Sequence, residues 1–227
     1  MQDVLKFLRA LNENNNREWF LAHKSEYLQA KNTFEAFALN LLEGVRKFDD
    51  SIGDLTIKDI TYRIYRDVRF SKDKSPYKCH MGVFICPGGK KSGYSGYYFH
   101  VSAADNGTWE CGHIIAAGDY MTDPKVLKIL REDIELGNGD FRKIIENADP
   151  HLTLDREGSL KNVPAGFPKD SPDAEYFRLK RFCLSCEPDD AFVTSDDLVE
   201  RLVAIFKSAM PFIRYINRAI EYSREEN

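Results

Sequence analysis

From residue 17 to residue 47 the chain has no proline and one glycine, Gly44. Tyr27, Ala30, Phe34, Phe37, Leu41, Val45 and Phe48 recur there at three- and four-residue intervals. That spacing puts them on one stripe of a helix. Between residues 57 and 117 the rhythm changes to two, the period of a half-buried strand. Beyond that it returns to the helical period. A chain that gathers its strands in the middle and its helices at both ends reads as α+β. The expectation is an antiparallel sheet of four or more strands, with a central meander over about 57–117, packed by N- and C-terminal helices. A chain of 227 residues can bury one sizeable core, so 1–227 is read as a single domain.

The local signals refine this outline. Asp3 is expected to cap a helix with Val4, Phe7, Leu8 and Leu11 on one face, and Asn16 to cap the next. Over 60–70, Tyr62, Ile64, Val68 and Phe70 alternate with Arg63, Tyr65, Asp67 and Arg69, which predicts a strand. Residues 81–86, 96–104 and 109–117 predict three more, with Asn106-Gly107 as the hairpin turn before the last. Asp123 and Pro124 open a helix over 125–136, and a shorter one is expected over 141–148. A further strand is expected over 181–187. Ser195, followed by Asp196 and Asp197, is expected to start the last helix, which Pro211 kinks or ends.

The charge is unevenly spread. The total is −4, yet residues 58–91 hold nine Lys/Arg against three Asp/Glu, leaving −10 on the rest. A global basic coat for nucleic acid is thereby disfavoured, and a local anion-binding face stays open. No run approaches the ~18 apolar residues of a membrane span, so no membrane partner is expected. Five cysteines and an N-terminus without a signal-peptide pattern point to reduced thiols in the cytoplasm.

The densest stretch reads Arg63-x-x-Arg66-Asp67-x-Arg69-Phe70-x-x-Asp73-Lys74-x-x-Tyr77. It resembles the signature of an uncharacterised, mainly bacterial family, the domain of unknown function 2461 family. Asn14-Asn15 with Trp19-Phe20 and Lys24 resembles its N-terminal element. Tyr98-x-His100-Val101-Ser102 is similar to its third strand. Leu160-Lys161-x-x-Pro164-x-Gly166-Phe167 and Leu179-Lys180 resemble its late motif. Where the family commonly has Asp-His-Pro, this chain reads Asp170-Ser171-Pro172. Its glycine-rich stretch is reduced to Cys111-Gly112-His113 and Ala117-Gly118. The resemblance covers nearly the whole chain and implies a fold grouping, with no established reaction.

Six cations, Arg63, Arg66, Arg69, Lys72, Lys74 and Lys78, fall within sixteen residues. Arginine forks grip phosphate or carboxylate in a bidentate way, and a lysine adds a point charge. The leading reading is a protein, enzyme or not, that binds an anionic small molecule through Arg63, Arg66, Arg69 and Lys74. Tyr77, His100 and Asp67 are then the candidates for proton transfer. Equally open is an Arg/Asp ladder that only stabilises the fold. A nucleic-acid module, stacking bases on Tyr62, Tyr65, Phe70 and Tyr77, is disfavoured by the net charge. His80, His100 and His113 lie in successive strands whose register the sequence does not fix, so no metal is assigned to them and the cofactor is left open. Cys183 and Cys186, three apart on a strand, fall on opposite faces, and no second pair accompanies them. Gly88-Gly89-Lys90-Lys91-Ser92-Gly93 lacks the phosphate-loop order and reads as a hairpin tip decorated by its lysines. Asn14-Asn15-Asn16 followed by Trp19-Phe20 reads as helix capping with a core aromatic pair, or as a polar rim to the basic site.

Overall fold

The computed structural model describes residues 1–104 and 111–225. It opens with three helices: α1 (Gln2–Glu13), α2 (Arg17–Ala22) and α3 (Lys24–Arg46). Val4, Leu5, Phe7, Leu8 and Leu11 form the buried face of α1. Met1, rather than Asp3, holds the cap position. Asp3 sits instead in the first turn, where its charge complements the helix dipole. Asn16 does cap α2, accepting from the Trp19 N–H at 2.9 Å. Of the α3 stripe, Ala30, Phe34, Phe37, Leu41 and Val45 are buried.

The expected strand over 60–70 does not form. A short helix, α4 (Ile57–Ile60), takes its start, closed by a capping box between Thr56 and Asp59. Beyond it, single bridges join Thr61 to Val83 and Tyr65 to Tyr77. The alternation holds only as far as Ile64, which is buried, while Phe70 is 95% exposed. The reason lies in the polar side chains. Asp67 accepts from the Arg69 N–H, and Asp73 accepts from the Ser75 N–H, bonds that compete with a ladder.

The sheet follows: β1 (His80–Ile85), β2 (Gly96–Ser102) and β3 (Ile114–Asp119). They form the expected antiparallel meander, with Val83 opposite Phe99 and Phe99 opposite Ile115. The turn expected at Asn106-Gly107, and the beginning of the strand expected from Trp109, lie outside the described residues. Helices α5 (Pro124–Leu136) and α6 (Asp140–Glu146) come next, α5 with Asp123 as its cap and Pro124 in its first turn. The two-residue β4 (Thr153–Leu154), the turn α7 (Ala174–Phe177) and β5 (Phe182–Cys186) complete a five-stranded sheet of order β1-β2-β3-β5-β4.

Ser195 does not open the last helix. It closes the turn α8 (Asp190–Val193), donating to the Phe192 carbonyl at 2.8 Å. The last helix, α9 (Leu198–Glu225), runs through Pro211 without ending. Proline in a helix costs about 3 kcal/mol. Burying Phe212, Ile213 and Ile216 just beyond it contributes roughly 1.5–3 kcal/mol each, so continuation wins.

Period-two geometry separates the two faces of the sheet. Met81, Val83, Ile85, Tyr97, Phe99, Val101, Ile115, Phe182 and Leu184 point one way and are buried. Phe37 of α3 meets Phe99, Phe206 of α9 meets Tyr97, and Phe141 of α6 meets Phe182, at ring separations of 5.3–5.6 Å. Helices therefore line one face, as an α+β fold requires. The other face carries His80, Gly82, Phe84, Gly96, Tyr98, His100, Ile114, Ala116, Gly118, Cys183 and Ser185.

Candidate functional site

A cleft of about 1140 Å³ lies over the sheet face that carries Phe84, Tyr98 and Ala116, bordered by Val126 of α5 and by Ile220 and Arg224 at the end of α9. Its floor is small: Gly96, Ala116 and Gly118 line it beside Ile114. These glycines are dictated by backbone approach. A Cβ on Gly96 would stand 2.3 Å from the Ile85 carbonyl oxygen, and one on Gly118 2.1 Å from that of Phe182. Gly118 also has φ +135°, where side chains are strained. With Gly96, Ala116 and Gly118 keeping part of the floor low, the walls are formed by Phe84, Tyr98, Tyr62, Tyr94 and His80.

Behind the cleft wall stands a short hydrogen-bonded chain. The Tyr98 hydroxyl lies 2.9 Å from His100 Nδ1, and His100 Nε2 lies 3.0 Å from the Gly112 carbonyl oxygen. His100 is fully buried. Burial pushes its pKa down to about 4, so the ring is neutral at pH 7. A carbonyl oxygen can only accept, so the proton resides on Nε2 and the lone pair on Nδ1. Tyr98 is therefore the donor to His100. His80, its ring 5.1 Å from that of His100, is lowered to about 3 by burial and by His100 itself.

The β1 edge of the cleft is basic. Lys78 Nζ and Lys90 Nζ stand 5.4 and 5.7 Å from the centre of the Tyr62 ring. Lys90 Nζ is held there by the Lys58 carbonyl. The loop of 88–93 therefore folds back onto α4, and only Lys91 is the exposed tip lysine expected for both. Arg224 lies 4.3 Å from the Tyr94 ring and donates to the Ser92 carbonyl at 2.8 Å. The opposite side is acidic. Asp119 lines it, its pKa raised by burial, next to Asp155, which pairs with Arg181 at 3.2 Å.

The arginine signature sits apart from the cleft. Arg69 forks onto Asp67 with bonds of 2.9 and 2.7 Å, and this holds the Asp67 carboxyl down to about 2. Arg66 pairs with Asp73, which Ser75 and Arg66 together lower to about 2, and it donates to the Ser75 carbonyl at 3.3 Å. Lys74 donates to the Val68 carbonyl at 3.0 Å. Arg63 is exposed beside a small hollow of about 130 Å³ bordered by Glu35 and Lys31. Two of the three guanidinium groups are thus engaged by carboxylates of the same loop.

The proposed proton-transfer residues are likewise not gathered. Tyr77 is buried, stacked on Phe20 at 3.9 Å within the aromatic cluster of α1 to α3, whereas His100 belongs to the cleft face. Asp67 stays in the exposed loop. His113 turns to Asp190 at 2.9 Å and to the Ser102 N–H at 3.1 Å. Among the described residues, no group of three or more His, Cys, Asp and Glu is placed to hold a metal ion. Cys183 faces the cleft opposite Gly118, and Cys186 faces the helices opposite Ile115. Burial pushes these thiols up to about 12 and about 11, which makes them poor nucleophiles. Lys90, Tyr98 and the small-residue floor were not singled out as a site from sequence. The signal was present as glycine or alanine repeating on one face of three strands.

Helices packed on one face of an antiparallel sheet, and an open cleft with aromatic walls over the other, define an α+β protein. The chain belongs to the conserved hypothetical family DUF2461, whose model matches residues 3–215. No curated protein and no solved structure matches the chain. Among the described residues, no helix is long and apolar enough to cross a membrane.

Proposed function

We propose that this protein binds a small organic anion, bearing phosphate or carboxylate, in the cleft on the open face of its sheet. The observation that carries the reading is the convergence of Lys78 and Lys90 on Tyr62 at the edge of an apolar, aromatic-walled cleft. A few polar groups around a largely apolar cavity is the usual form of a small-molecule site. The reading keeps the anionic ligand expected from the charge distribution and moves its contacts from the arginine run to the cleft edge. The arginine run is better suited to shaping the loop over 63–78, since Asp67 and Asp73 already occupy Arg69 and Arg66. The buried, reduced thiols of Cys86 and Cys183 suit a reducing interior, which favours the cytoplasm.

Thermal stabilisation by a panel of phosphorylated and carboxylated metabolites tests this. The expected result is a shift with wild type and Arg69→Ala that disappears in Lys90→Glu and in the cleft-filling Ala116→Trp. No shift with any anion, or a shift lost in Arg69→Ala and kept in Lys90→Glu, would overturn it.

A further inference from the structure

Two cations on the rim of the cleft carry a charge that no carboxylate neutralises. Arg224 reaches the cleft from the last turn of α9, and Lys90 from the loop of 88–93. Lys90 Nζ donates to the Lys58 carbonyl, and Arg224 Nη2 donates to the Ser92 carbonyl at 2.8 Å. A carbonyl positions a cation without cancelling its charge. Among the described residues neither forms an ion pair, whereas Arg66, Arg69 and Arg181 each do. Asp59 attracts Lys90 from beyond pairing distance, its Oδ2 already accepting from the Thr56 N–H and hydroxyl. Burial nonetheless lowers the Lys90 pKa, as it does for an ammonium without a close counter-ion. Arg224 is shaped to grip as well as to pin. Its guanidinium lies 4.3 Å from the centre of the Tyr94 ring, and such stacking fixes the plane of the fork. Gly93 lets it lie close to the loop, since a Cβ there would stand 3.1 Å from Arg224 Nη2. A guanidinium has five N–H donors, of which the Ser92 carbonyl takes one.

We propose that Arg224 and Lys90 together hold the anionic group of the cleft's ligand, and that this group is a phosphate monoester. This inference rests on the cleft being the binding site. A phosphate monoester carries a charge of about −1.5 to −2 at pH 7 and three acceptor oxygens. It can take the two-pronged fork of Arg224 and still offer an oxygen to Lys90. A carboxylate brings one charge and two oxygens, and the fork uses both. Asp119, on the acidic side of the cleft, opposes an anion there and so favours the rim of Lys90 and Arg224 for the charged end of the ligand.

The test uses two aromatic probes, phenyl phosphate and benzoate, titrated calorimetrically into the full chain at neutral pH. The wild type is expected to prefer the phosphate by about tenfold or more, the worth of one further charge-assisted hydrogen bond. In Arg224→Ala that preference should fall toward one. Arg224 is exposed at the end of its helix, so the variant is expected to fold. Loosening of the loop of 88–93 alone would weaken both probes alike and leave the ratio unchanged. Equal binding of the two by wild type, or a preference that persists in Arg224→Ala, overturns this inference and leaves the cleft reading standing. Binding of neither probe overturns both. If Arg224→Ala fails to fold, Arg224→Lys decides in its place: it keeps the charge but not the fork, and a preference it retains in full overturns the inference.

Discussion

Asn15 grips the backbone of Tyr77 from both sides. Its amide nitrogen donates to the Tyr77 carbonyl at 2.9 Å, and its carbonyl oxygen accepts from the Tyr77 N–H at 3.1 Å. The same nitrogen lies 3.3 Å from Cys79 Sγ. The asparagine pairs with the chain much as a neighbouring strand would. It ties the end of the signature loop to the turn between α1 and α2.

Asn15→Ala removes both bonds and leaves a partly buried N–H and carbonyl without their partner. The expected cost is about 2 kcal/mol of unfolding free energy, at the level of two hydrogen bonds of ordinary worth. Amide exchange should quicken at Tyr77 and at Lys78, whose N–H bonds the Ile64 carbonyl at 2.8 Å. Equilibrium denaturation with residue-resolved exchange checks both. An unchanged midpoint would mean that Phe20 stacking alone holds this segment.

The arginine signature leads to a second expectation. Arg69 and Asp67 are both exposed, and exposed pairs contribute little to stability. Arg69→Ala should therefore leave the melting temperature within the scatter of a surface substitution. Arg66→Ala should do more, because the Arg66 side chain is 18% exposed and bridges Asp73 to the Ser75 carbonyl. Parallel thermal melts of the two variants decide. A larger drop for Arg69→Ala would reverse the assignment.

The division between what the sequence disclosed and what it hid has a physical basis. The stripe along α3, the Asn16 and Asp123 caps and the meander β1-β2-β3 rest on periodicity and capping, which are local. The strand expected over 60–70 failed because Asp67 and Asp73 bond their own loop, a competition that alternation does not report. Pro211 failed as a stop because the burial that outweighs it is tertiary. The candidate site was read from charge density. Charge density alone does not distinguish a guanidinium awaiting a ligand from one already held by Asp67. The lysine that reaches the cleft edge, Lys90, does so because the loop of 88–93 folds back on α4, where a Cβ on Gly89 would meet the Asp59 carbonyl oxygen at 3.1 Å.

The two buried histidines set a pH dependence. An unfolded histidine takes up its proton near pH 6.5, but folded His100 and His80 do so only near about 4 and about 3. Between those limits the unfolded chain binds more protons. Stability is thus complete above pH 6.5 and falls as the pH drops toward 4, by about 1.5 kcal/mol for each histidine between pH 6.5 and 5. Urea unfolding at several pH values should show that slope, and His100→Gln should reduce it by about half. A profile flat from pH 7 to 5 would contradict the neutral, buried state of both rings.

Gly82 controls the geometry of Tyr98 and His100 from the neighbouring strand. A Cβ at Gly82 would meet Tyr98 Oη at 3.0 Å, Tyr98 Cε2 at 3.4 Å and His100 Cβ at 3.4 Å. These are side-chain atoms, and the tyrosine ring has the freedom to move outward into the cleft. Gly82→Ala should therefore fold, at a cost of roughly 1–2 kcal/mol for the overpacking. It should also lengthen the bond from the Tyr98 hydroxyl to His100 Nδ1. The ring nitrogens of His100 report this directly by ¹⁵N NMR. In the wild type, Nε2 is expected in the protonated range and Nδ1 in the lone-pair range, shifted by an accepted hydrogen bond. In Gly82→Ala, Nε2 should stay protonated on the Gly112 carbonyl, while Nδ1 moves toward the value of a lone pair without a donor. A proton found on Nδ1 in the wild type would invert the donor and acceptor roles of Tyr98 and His100.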